Sequence, residues 1–146
     1  MKNFILAAAL FGSTSAFAHT DEYLDAQKAP NGGQLRMAGV HHFELVVAKN
    51  SPDAKDQPVM VYLSGHDGRQ VSSTGASGSA TILSGKQKTK ITLQPDGDNR
   101  LKGTGKYAST PDMKVIVSIA LPGKTAEQAK FTPLAPIQDD HAGHQH

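Results

Sequence analysis

The sequence has no cysteine and no tryptophan in 146 residues. A chain of this length does not need disulfides, and in an oxidising compartment a cysteine-free chain avoids mispairing. The missing cysteine also excludes lipid attachment after a cleavage site. Aromatics make up only 5% of residues, which leaves no stacking platform for sugars or bases. The formal net charge is +2, so electrostatics offers no case for a nucleic-acid partner. No apolar run approaches the roughly 20 residues that span a bilayer.

Reaction motifs are missing as well. There is no Gly-x-Ser-x-Gly, phosphate-binding loop, His-Glu-x-x-His or dinucleotide fingerprint. The glycine-rich stretch Ser72 to Gly78 lacks the following helix that a phosphate cradle needs. No catalysis is expected.

The N-terminus reads as an export signal. Lys2 gives a positive start, Phe4 to Phe11 an apolar run, and Ala16-Phe17-Ala18 a small-x-small cleavage pattern. Residues 1–18 are therefore assigned to a signal peptide and the working protein to a periplasm, beginning at His19. Residues 19–34 form a polar leader ending in Pro30-Asn31-Gly32-Gly33. Residues 35–133 form one β domain, and residues 134–146 a disordered, histidine-rich tail.

The middle part reads as β throughout. In residues 41–48, Phe43, Leu45 and Val47 alternate with His42, Glu44 and Val46. Further strands are expected at 58–64, 79–83, 88–93, 100–106, 113–121 and 129–132, separated by glycine- and aspartate-rich turns. Only Thr125 to Ala129 suits a helical turn. Six or seven short strands at regular spacing predict an all-β, antiparallel, immunoglobulin-like β-sandwich, with a small barrel as the alternative. Lys86, Lys88 and Lys90 alternate and mark a solvated face.

Seven histidines are the one unusual count, and all lie beyond residue 18. Neutral imidazole is a common donor to copper and zinc. Cleavage after Ala18 gives His19 both an α-amino group and an imidazole, enough to chelate Cu(II) with help from a second histidine. The competing explanation is a polar residue at a frayed end. On a strand, His42 and Glu44 share a face about 7 Å apart, close enough to share a metal or for Glu44 to orient His42. His41 points the other way. His66 stands in the turn after the second expected strand, where it is either a ligand or incidental to the Asp67-Gly68 turn. The tail carries His141, His144 and His146 beside Asp139 and Asp140, a tract suited to loose metal collection. Met37, Met60 and Met113 are scattered, so Cu(II) or Zn(II) is favoured over Cu(I); Met37 alone lies near His41 and His42 in sequence.

Several segments resemble a family. They are Ala29-Pro30-Asn31-Gly32-Gly33-Gln34, His42-Phe43-Glu44-Leu45-Val46, Val61-Tyr62-Leu63 with His66-Asp67-Gly68, Thr74-Gly75-Ala76-Ser77-Gly78, and Asp98-Asn99-Arg100-Leu101-Lys102-Gly103-Thr104-Gly105. Together they resemble small periplasmic proteins and efflux-adaptor domains of heavy-metal resistance systems of the resistance-nodulation-division type. Relatives often carry Pro-His-Gly-Gly where this chain has Pro30-Asn31-Gly32-Gly33, and asparagine is the poorer ligand. The resemblance implies a periplasmic metal-binding protein, for copper first and zinc next, that works beside an efflux adaptor. The rival expectations are an envelope protein-interaction module and, more remotely, a copper-brace enzyme.

Overall fold

The computed structural model describes residues 20–136. The expectations placed on residues 1–18, His19, His141, His144 and His146 lie outside the described residues.

One short helix precedes eight strands. The helix is α1 (Asp21–Asp25), and the strands are β1 (Gln34–Ala38), β2 (His41–Val47), β3 (Ser51–Gly65), β4 (Ser77–Ser84), β5 (Gln87–Pro95), β6 (Arg100–Ser109), β7 (Lys114–Ala120) and β8 (Glu127–Phe131). Every neighbouring pair is antiparallel, in the order β1-β2-β3-β6-β5-β4-β7-β8. The all-β antiparallel architecture is the one the alternation predicts. The sheet curls until its two edge strands face each other, giving a nearly barrel-shaped body.

Two devices produce the curl. At the corner, β5 runs beside β4 from Gln87 to Leu93 and then crosses to β6, pairing with it through Gln94–Lys102 and Pro95–Leu101. Gly103 sits at that corner because a Cβ there would lie 2.3 Å from the Thr92 carbonyl oxygen. At the seam, the Gln34 side chain replaces a strand partner. Its Nε2 donates to Thr132 O at 3.1 Å, and its Oε1 accepts from Thr132 N at 2.8 Å. Unpaired edges are thereby brought together rather than left bare.

The core is the inward row of each strand. Phe43, Leu45, Val59, Val61, Leu63, Ile82, Ile91, Leu93, Leu101, Val115, Val117, Ile119 and Phe131 are all buried. Each such side chain contributes about 1.5–3 kcal/mol on leaving water. Tyr107 joins them by satisfying its hydroxyl: it donates to Pro58 O at 2.6 Å and accepts from Ala48 N at 3.0 Å.

The structure departs from the sequence reading in three places. Gln34–Ala38 is a strand that the alternation does not reveal, because Leu35 and Arg36 are both buried. Arg36 lies under α1, with Nη1 2.8 Å from Asp25 Oδ1 and Nε 3.4 Å from Asp21 Oδ1. The leader is thus folded from Thr20 onward, Thr20 capping α1 through a 3.2 Å bond from Tyr23 N. The expected last strand at 129–132 is present but begins earlier, at Glu127, so its first residues pair with β7 where the sequence suits a helical turn. Leu134 packs on the core, so ordered chain continues past Pro133.

Candidate functional site

Strand β2 carries the site. Its inward residues Phe43 and Leu45 anchor it in the core, and its other face holds His42 and Glu44. That face is not open to water: His42 is 6% exposed and Glu44 3%. The leader covers it, and a groove of about 230 Å³ remains, walled by Lys28, Pro30, Asn31, Tyr62 and Gln70 beside these two residues.

A buried carboxylate needs hydrogen-bond donors, and the Pro30-Asn31-Gly32-Gly33 turn supplies them. Glu44 Oε2 accepts from Asn31 N and Gly33 N, each at 2.9 Å, and Oε1 accepts from Asn31 Nδ2 at 3.0 Å. Gly32 has φ +73°, a conformation that suits glycine and lets the turn aim these N–H groups at one carboxylate. Both oxygens are committed to the turn. Glu44 thus holds the leader onto the sheet.

His41 is engaged at the other side of the strand. Its Nδ1 lies 2.6 Å from Glu127 Oε1 on β8, and Glu127 Oε2 accepts from Val40 N at 2.9 Å. The imidazole belongs to the β1–β8 seam and is turned from His42 by the alternation of the strand.

His42 and His66 do come together. Their ring centroids are 5.0 Å apart, with the planes tilted by 45°. The register explains this: His42 faces Ser64 across β2 and β3, and His66 follows two residues later, where β3 runs into its turn. Asp67 fixes that turn by accepting from Arg69 N at 3.0 Å, and Gly68 N donates to Gly65 O. His66 is exposed while His42 is buried, so the pair spans the groove's inner wall and the solvent.

The spacing has a chemical meaning. A metal about 2.1 Å from a ring nitrogen lies roughly 3.2 Å from that ring's centroid, so two rings at a near-tetrahedral angle have centroids about 5 Å apart. Two imidazoles alone make an incomplete site. Among the described residues, no group of three or more His, Asp or Glu side chains is arranged to hold a metal ion.

Sequence reasoning missed the residues that shape the groove. Tyr62, opposite Glu44 on β3, has its hydroxyl 3.4 Å from Arg100 Nη1, and Arg100 Nη2 is 2.7 Å from Asp96 Oδ2. The Tyr62 hydrogen bond, followed by the charge of Asp96, raises the Arg100 pKa against the cost of partial desolvation. Tyr62 and Arg100 both stand in segments that carry the resemblance, with no role given there; only their cross-strand positions relate them to β2.

Among the described residues no helix is long and apolar enough to cross a membrane. The chain matches no protein-family model, and no curated protein is significantly similar to it.

Proposed function

We propose that this chain is an exported, non-catalytic metal-binding protein that buffers copper, or else zinc, and passes it to a heavy-metal efflux system in the periplasm. The observation that carries this reading is the approach of the His42 and His66 rings to 5.0 Å, a separation compatible with shared coordination. His19 is the proposed further nitrogen donor, since cleavage after Ala18 places it at the start of a leader whose next residues are docked on β1 through Arg36. His141, His144 and His146 are assigned to loose collection of metal. The efflux adaptor enters as the delivery partner on the resemblance alone.

The interaction-module alternative calls for a bare apolar sheet edge and dispersed histidines. The joined β1 and β8 edges and the paired His42 and His66 both run against it.

The test is calorimetric titration of Cu(II) and Zn(II) into the full chain carrying His141→Ala, His144→Ala and His146→Ala, after confirming that His19 is first. At least one metal is expected to bind more tightly than micromolar, and His42→Ala is expected to weaken it at least tenfold. Binding weaker than micromolar for zinc and for copper in both oxidation states overturns the reading.

A further inference from the structure

The donor set around His42 is larger than its histidines. Strand β1 lies beside β2 with Met37 directly opposite His42 and Leu35 opposite Glu44. Met37 therefore shares the sheet face of His42, with Cβ atoms roughly 4.5–5.5 Å apart, as for any directly paired antiparallel residues. His66 stands on the β3 side of His42, and Met37 on the β1 side. Three donor-bearing side chains from β1, β2 and the turn after β3 thus come together, two imidazoles and a thioether.

Met37 is only half-buried, unlike a methionine used for packing. Met113 is fully buried in the core. Met60 pairs with Val46, four residues along β2 from His42, or roughly 13 Å at the strand rise. Its sulfur lies 3.9 Å from Arg100 Nη1. Of the three described methionines, Met37 alone is within reach of the pair.

From this placement the geometry points to a copper(I) site formed by Met37, His42 and His66. The inference rests on the metal-binding reading above and decides which metal it concerns. A thioether is a soft donor that binds Cu(I) well and adds little for Zn(II), which prefers imidazole, thiolate or carboxylate. A flexible, unbranched methionine also adjusts its sulfur position without moving the strand. The scattered methionines of the sequence favour Cu(II) or Zn(II) only while the register is unknown.

The experiment uses the full chain with the three tail histidines replaced by alanine. Cu(I) affinity is read anaerobically by competition with a chromophoric Cu(I) chelator, and Zn(II) affinity by calorimetry. Met37→Leu keeps the volume of the side chain and removes the sulfur. The expected result is a tenfold or greater loss of Cu(I) affinity with Zn(II) affinity changed less than twofold, and no change on either metal for Met60→Leu. X-ray absorption at the copper edge is expected to show a sulfur neighbour that Met37→Leu abolishes. Cu(I) affinity unchanged in Met37→Leu, or an equal loss for both metals, overturns the inference while leaving metal binding intact. A parent chain that binds Zn(II) but not Cu(I) does the same. A parent that binds no copper in either oxidation state and no zinc overturns the underlying reading as well.

Discussion

His41 and Glu127 meet across the seam of the sheet, Nδ1 to Oε1 at 2.6 Å, though they stand 86 residues apart in sequence. The same carboxylate accepts the Val40 N–H, so one side chain ties the β1–β2 turn to β8. The bond recruits a histidine that sequence spacing places beside a metal site and makes it part of the closure.

Glu127→Ala should therefore loosen the seam. Loss of the His41 contact and of the Val40 acceptor should cost about 1–2 kcal/mol, read from the urea midpoint. His41→Ala should show a similar loss while leaving metal affinity within twofold. A His41→Ala chain with native stability and impaired metal binding would return His41 to the metal site.

Glu44 should matter more to folding than to metal. Glu44→Ala leaves the Asn31 and Gly33 N–H groups without their acceptor, at a cost of about 2–3 kcal/mol. Amide exchange at Asn31 and Gly33 should rise before the rest of the sheet opens. Unchanged exchange at both amides would contradict the assignment of Glu44 to the turn.

Tyr107 introduces an alkaline limit. Burial pushes its hydroxyl above the ordinary tyrosine value of about 10, against the opposing hydrogen bond from Ala48 N. The folded state thus holds the proton more tightly than the unfolded chain. That contribution is fully present below about pH 10 and is lost as pH rises toward the folded-state value. Tyr107→Phe should cost about 1–2 kcal/mol at pH 8 through its lost hydrogen bonds. The gap between the two proteins should narrow above about pH 10, with lysine titration cancelling between them. A pH-independent gap in urea denaturation would contradict this.

Gly103 should tolerate no side chain. A Cβ there meets the Thr92 carbonyl at 2.3 Å and Ile91 Cγ2 at 2.6 Å. Backbone cannot yield as a side-chain tip does, so Gly103→Ala should cost about 1–3 kcal/mol, seen as a lower melting temperature. Gly85→Ala meets no atom within 4 Å, so whatever it costs comes from its positive φ of 59° alone. An equal effect at both positions would mean that the corner is not tightly packed.

Much of this protein is legible in its sequence because period-two alternation is a local signal. Phe43, Leu45 and Val47 on one side and His42 and Glu44 on the other follow from residue order alone, and so do the remaining strands from 58 to 121. β1 stayed hidden because α1 and the leader cover it, so Arg36 is buried beside Leu35 and no alternation survives. β8 was legible only in its second half, from residue 129, because Ala129 and Phe131 alone mark its inner face.

Everything that depends on which strand lies beside which was decided by tertiary structure. Residue order supplied His42 and His66 as candidates and Met37 only as a sequence neighbour of His42; the β1–β2 and β2–β3 pairings brought them together. Residue order likewise left Glu44 and His41 as candidates beside His42. The fold gave Glu44 to a turn and His41 to a seam, because a buried carboxylate must find donors and a sheet edge must find a partner. Neither demand can be read before the chain has closed on itself.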